Sequence, residues 1–285
     1  MTRFSLSDYC QMTLIAIVFF ALYSQTLVKL VQAWGDNPNF SHGFLVPIIA
    51  CCMIWQKRRQ LPWGTIAPWF SGVWVIVFGM AMHVAGNLGA ELFVMRVSMV
   101  VTLIGLSLYL MGCQFTKAIY VPIVYLIIMV PIPAIIWNKL AFPLRGLAAR
   151  LTAELIHGIG IAIFREGNIL HLANTSLAVV DACSGLRSLT ALLALGGAFS
   201  YMSSLSVFSK WILFLSAVPI AVAVNIIRLT ATAIMAIKIG PEAAQGFLHE
   251  MSGIVVFLSA TVMIYAVFLL LAAAEKKFSA AQVGP

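Results

Sequence analysis

Eight apolar stretches divide this 285-residue chain, near 12–33, 43–56, 68–87, 91–112, 118–137, 185–204, 210–238 and 252–274. A helix needs about 20 apolar residues to cross the hydrocarbon of a bilayer, and most of these stretches reach that length. The second is short and must borrow from "NFSHGFLVP". Charged residues are only 9% of the chain and hydrophobic ones 62%, against roughly 25% charged in soluble domains. No soluble core could hide so much apolar surface. A backbone in lipid must satisfy its own hydrogen bonds, and helices do so within each segment. The expectation is an all-α polytopic membrane protein of about eight transmembrane helices, built as one integral-membrane domain over 1–285 with no separate soluble domain. The first apolar run is long and lacks a small-residue cleavage site, so it reads as a span rather than a signal peptide.

The net charge of +8 therefore points to cytoplasmic loops and lipid headgroups, not to nucleic acid. Eight spans put both termini on one side. With the amino terminus in the cytoplasm, Lys57, Arg58, Arg59, Lys117, Lys210, Lys276 and Lys277 all fall inside. The opposite side receives the Asp36 loop, the Gly86–Glu91 turn, the insert 138–184 and the loop 239–251. Only the insert, with Lys139, Arg145, Arg150 and Arg165, runs against the positive-inside rule, and long translocated segments obey that rule less strictly.

Within the insert, "LAFPLRGLAARLTAELIHGIGIAIF" repeats Leu144, Leu147, Leu151, Leu155 and Ile159 at helical spacing, with Arg145, Arg150 and Glu154 elsewhere. That pattern predicts an amphipathic helix lying in the outer headgroup layer. "REGNILHLANTSLAVVDA" alternates about a polar centre and predicts a short hairpin. The hairpin would deliver Cys183 to the membrane surface.

Ionisable groups at membrane depth are costly, and each is a candidate for function. Three converge on the outer half of the bundle: Cys183 at the entrance of the sixth span, His249 in the loop before the eighth, and Arg228 inside the seventh. Arg228 lies ten residues before Lys238, roughly 15 Å below the outer end. A cysteine attacks as its thiolate, which a nearby imidazole or guanidinium favours. An arginine can hold a developing oxyanion, and a histidine can protonate the leaving amine and then activate the next nucleophile. Together they describe a cysteine acyl-transfer enzyme that needs neither metal nor organic cofactor. The alternative reading has Cys183 packing, Arg228 snorkelling or pairing with an acid, and His249 serving as a loop residue.

The order "REGNILHL", "DACSGLRSL", "NIIRLTATA", "LHEMSGIVVF" on such a chain resembles the exosortase/archaeosortase family. "SHGFLVPIIACCMIWQKRRQL" and "VPIP" add to the likeness, which covers roughly residues 37 to 260. The resemblance implies a membrane-embedded cysteine transpeptidase. Its partners would be exported proteins bearing a carboxy-terminal sorting signal: a short motif such as Pro-Glu-Pro, an apolar helix and a basic tail. It would cut at the outer face of a bacterial inner membrane and pass the acyl group to an envelope acceptor, lipid-linked or polysaccharide. The family's cysteine, arginine and histidine fall on Cys183, Arg228 and His249. The carboxy-terminal domain fused to some members is not expected here.

Several polar positions keep two readings. Asp181 either orients His249, pairs with Arg187 or caps the sixth span. Arg187, four residues after Cys183 and on its helix face, either favours the thiolate, binds a substrate carboxylate or forms a structural ion pair. Asn225 either bonds within the bundle or supports the site. His42 either lies near substrate or sits in a surface turn. Arg165, Glu166 and Glu250 read as architectural, while Glu91 and Arg96 pair or snorkel. His83, His157 and His171 are scattered without ligand spacing, the five cysteines show no paired or metal-type framework, and "NTS" at 174–176 is a chance match. Two other classes compete: a transporter whose buried arginines line a polar path, and a non-catalytic scaffold. A transporter would show repeated halves or broken midplane helices, and a scaffold would not need a thiol, an imidazole and a guanidinium at converging ends.

Overall fold

Each of the eight apolar stretches carries helix in the computed structural model, which describes residues 6–172, 176–179, 185–240 and 247–282. The helices are α1 (Leu6–Asp36), α2 (Leu45–Lys57), α3 (Gly72–Leu88), α4 (Leu92–Met111), α5 (Cys113–Tyr125), α6 (Ala134–Gly158), α7 (Leu186–Met202), α8 (Val207–Lys238) and α9 (Phe247–Gln282). Three short strands stand between α6 and α7: β1 (Phe164–Glu166), β2 (Ile169–His171) and β3 (Ser176–Ala178). Five helical stretches are long and apolar enough to cross a membrane, and a sixth is added if Cys113–Met129 and Ala134–Gly158 count as one broken span. The difference from eight lies largely in α3 and α7, of 17 residues each. At 1.5 Å per residue they reach about 25 Å, against roughly 30 Å of hydrocarbon. The protein is a mostly helical, polytopic membrane protein with a small sheet. Its chain divides into two compact units, Met1–Pro133 and Ala134–Pro285.

In the first unit, α3 and α4 are pressed together by glycine. Gly72, Gly79 and Gly86 recur every seven residues on α3, facing Tyr109, Thr102 and Met95, while Gly105 of α4 faces Ile76. Small residues let membrane helices approach closely, where packing rather than a hydrophobic force holds them. Between α1 and α4, the Tyr23 hydroxyl bonds Thr102 Oγ1 at 2.9 Å and Ser98 Oγ at 3.3 Å. Arg96, only 5% exposed, donates through Nη2 to the carbonyl of Lys29 at 3.1 Å. The described ion pairs do not join it to Glu91.

The expected fifth span is not continuous. After α5 the chain tightens into a 3₁₀ turn at Leu126–Met129 and leaves the helix before α6 begins at Ala134. Pro131 and Pro133 explain the break, because proline has no N–H to continue a ladder. In a helix the Met129 carbonyl would accept from residue 133. Here Trp34 Nε1 donates to it instead, at 2.9 Å, and His42 Nε2 meets the neighbouring Ile128 carbonyl at 3.2 Å. Gly43 lies under the Trp34 indole, where any β-carbon would overlap the ring. "SHGF" and "VPIP" are thus two halves of one capped break, and His42 is a cap rather than a surface turn.

In the second unit, α7, α8 and α9 share a core that includes Leu192, Leu213, Ala217, Ile220, Val256, Ala260 and Ile264. The amphipathic helix of the insert exists as α6, with Arg150 and Glu154 exposed, but only part of the leucine row turns inward. Ala141, Ala148, Ala149, Thr152 and Ile156 are the buried face, whereas Leu147, Leu155 and Ile159 stand 41%, 48% and 61% exposed. Alanines allow the closer approach to α8, while Leu144 and Leu151 stay half-buried at its margin. The hairpin is a three-stranded antiparallel meander in the order β1-β2-β3. Gly167, at φ +60°, supplies the positive φ that its first two-residue turn requires.

Candidate functional site

The sheet sits on α6 and α8. Leu170 of β2 and Val179, just past β3, are both fully buried against Ala148, Ala149 and Leu229. Leu172 packs below with Ile156, Ala233 and Ala236. Asn168 fastens the far end, accepting from Val179 N at 2.9 Å and donating through Nδ2 to Val179 O at 3.0 Å. Asp181 and Cys183 lie outside the described residues. The chain is described again at Gly185, buried and left-handed at φ +80°, where a β-carbon would stand 3.0 Å from the Asn225 side chain. Asn225 is 1% exposed. Both flanks of the segment that holds Cys183 therefore rest on α8, at Leu229 and at Asn225, four residues apart.

The register of the helices locates the other two candidates. Gly196 of α7 lies against Phe214 and Ala217, and Gly185, about three turns back, lies against Asn225. The two helices run antiparallel without a slip. Arg228, three residues past Asn225 and half-buried, thus stands at the end of the bundle where α7 begins. Phe199 of α7 meets Tyr265 and Phe268 of α9, with ring centroids 6.1 and 5.2 Å apart. Carried back along both helices, that pairing sets Leu186 level with positions 252–255 of α9. His249 is in the first turn of α9, not in a loop before it, about 5–9 Å further toward the same end.

Arg187, on the first turn of α7, is exposed. Its side chain makes no ion pair among those described. Arg165 donates to the Gly167 carbonyl at 2.7 Å, and Glu166 meets His171 at 3.3 Å, both within the sheet, as architectural residues do. Among the described residues no three His, Cys, Asp or Glu side chains gather as a metal-binding group. A shallow apolar notch opens beside Gly185 and Asn225, walled by Leu144, Ala148, Leu189 and Val222. Gly185 was not singled out in the sequence, whereas the hairpin that contains β3 was expected to lead to Cys183. The glycine preceding "LRSLTALLAL" is the one visible sign of a left-handed entry to α7.

A family model described as transmembrane exosortase (Exosortase_EpsH) matches residues 34–266, a span that contains Cys183, Arg228 and His249. No curated protein and no solved structure matches the chain.

Proposed function

This chain belongs to the transmembrane exosortase family, and we propose that Cys183, Arg228 and His249 are its catalytic residues. Membership implies a membrane transpeptidase of the cysteine type that processes PEP-CTERM proteins. In the proposed mechanism the Cys183 thiolate attacks the carbonyl carbon of the scissile peptide. The Arg228 guanidinium holds the oxyanion of the tetrahedral intermediate, acting where charge develops. As the C–N bond breaks, His249 gives a proton to the departing amine, which leaves with the apolar helix and basic tail. The exported protein remains as a thioester on Cys183. His249 then takes a proton from the envelope acceptor, lipid-linked or polysaccharide, whose oxygen or nitrogen displaces the thiolate and regenerates it.

The observation that carries this reading is the register of α7, α8 and α9. It brings Arg228 and the first turn of α9 to the end of the bundle at which Cys183 precedes α7. Asn225 is a positioning residue that bears on Gly185, two residues from Cys183. Arg187, exposed beside the entry, would meet a substrate carboxylate, and Asp181 would either orient His249 or answer Arg187. The positive-inside pattern favours both termini in the cytoplasm of a bacterial inner membrane and this end of the bundle on the outer face. The family match favours this chemistry over a transport path lined by arginines.

Replacing Cys183 by alanine tests the assignment. The variant should insert and accumulate like the parent protein and leave a co-expressed substrate at its unprocessed mass. Processing at a normal rate would remove Cys183 from the mechanism.

A further inference from the structure

The strand that leads to Cys183 has one side paired and one side open, and the hydrogen-bond parity of β3 shows which groups it offers. Val179 N bonds Asn168 O at 2.9 Å, and the register continues as Ala178 with Ile169, Leu177 with Leu170 and Ser176 with His171. In an antiparallel ladder, bonded and non-bonded pairs alternate. Val179 and Leu177 therefore turn their backbone groups toward β2. Ser176 and Ala178 turn theirs the other way, to the outer edge of β3, where no strand among the described residues pairs with them. An open edge of N–H and C=O groups is a template for another extended chain.

We propose that this edge binds the sorting motif of the substrate as a fourth strand, parallel to β3. The inference rests on the transpeptidase reading for its occupant and on the parity for its geometry. A parallel guest runs in the same direction as β3, so the residues after its motif lead toward Cys183, five positions beyond Ala178. An antiparallel guest would lead them away. In a parallel pair, one guest residue placed opposite Leu177 donates its N–H to the Ser176 carbonyl and accepts from the Ala178 N–H. Its two neighbours turn their backbones outward and need no N–H. Pro-Glu-Pro satisfies that demand: the glutamate makes both bonds, and the prolines occupy the two positions where a missing donor costs nothing. A three-residue strand is long enough for this pair of bonds.

The strand is also anchored where the chemistry is expected. Leu177 and Val179 pack toward Ala148, Ala149 and Leu229, and Leu229 adjoins Arg228. The notch beside Gly185 lies toward the helices and encloses only about 10 Å³, room for roughly one water, against the few hundred Å³ of a small-molecule pocket.

Binding, not turnover, is the test, so that it stands apart from the catalytic assignment. Full-length Cys183→Ala protein in nanodiscs is titrated with a fluorescent synthetic peptide carrying Pro-Glu-Pro and the start of its apolar helix. Ala178→Pro in that protein deletes an N–H that β2 does not use, and should weaken binding about tenfold, the loss of one hydrogen bond. On the unaltered edge, N-methylation of the peptide's glutamate deletes the other bond and should weaken binding about tenfold, even if Ala178→Pro does not fold. Equal affinity for the N-methylated and parent peptides would overturn the inference. That result beside a Cys183→Ala variant dead in processing would leave the catalytic reading in place. Processing that survives Cys183→Ala beside an N-methyl-sensitive affinity would do the reverse.

Discussion

Gly185→Ala probes the joint on which the candidate site turns. The residue enters α7 at φ +80°, a conformation that costs an L side chain about 1–2 kcal/mol. Its new β-carbon would stand 3.0 Å from Asn225 Cγ and Nδ2 and 3.1 Å from its Cβ. Asn225 is 1% exposed and has no solvent into which to retreat, and an overpacked contact costs roughly 1–3 kcal/mol. The two effects together come to about 2–5 kcal/mol. They separate in part in a double-mutant cycle, because Asn225→Ala removes the Cγ and Nδ2 contacts and leaves the 3.1 Å approach to Cβ and the backbone strain. The coupling between the two substitutions should be about 1–3 kcal/mol, with Gly185→Ala milder in the Asn225→Ala background. Unfolding in mixed micelles, followed by circular dichroism as the denaturing detergent fraction rises, measures each corner. Processing, assayed where all four proteins are folded, should fall in Gly185→Ala because the strained joint is two residues from Cys183. Strictly additive stabilities would refute the contact, and a Gly185→Ala protein as stable and active as its parent would refute both parts of the argument.

Three further outcomes are expected. Arg228→Lys keeps the charge but loses the planar fork, and the rate of processing should drop roughly 100-fold while the protein stays folded; a near-normal rate would make Arg228 structural. Gly72→Ala would put a β-carbon 2.6 Å from the Tyr109 backbone nitrogen, so the α3–α4 pair should lose roughly 1–3 kcal/mol, whereas Gly64→Ala, with no atom within 4 Å, should cost far less in the same micelle titration. His42→Ala withdraws the imidazole from the Ile128 carbonyl and should cost about 1–3 kcal/mol. His42→Gln, which can still donate, should recover part of it, and equal losses in the two variants would count against the capping role.

The helices were legible because hydropathy in a membrane chain is nearly the whole signal: lipid demands apolar residues over a fixed length and a self-satisfied backbone. What the apolar runs could not reveal was where a helix stops for local reasons. The break at 130–133 needed the knowledge that Trp34 and His42, some ninety residues earlier, stand ready to donate to the carbonyls left without a helical partner. The buried face of α6 was only partly legible for a related reason. Leucine spacing marks an apolar face, but in lipid an apolar face is as stable outside as inside, and the alanines decide which side meets α8. The seven-residue glycine series of α3 is plain in the sequence, yet its partner on α4 is not. At the site, Arg228 and Asn225 stood out because polar groups inside a span are expensive. Gly185 did not, because its importance lies in a backbone angle and a contact across forty residues.

The small sheet bears on what kind of surface the proposed reactive end of the bundle offers. Open strand edges are excluded from hydrocarbon, where every unmatched backbone group is costly, so β3 and its exposed neighbours Arg165 and Glu166 belong at or above the headgroups. Yet Leu170 and Val179 are fully buried on Leu229 of α8, so the floor of the sheet is within one residue of Arg228. On the proposed reading, water above and lipid below meet at the level of Arg228. A polypeptide whose recognition motif is extended and wet, and whose following segment is helical and apolar, changes character at the same boundary. A bundle of helices alone could bind the second half of such a substrate but has no backbone to spare for the first. Three short strands between α6 and α7 supply it, and they do so on the segment that leads directly to Cys183.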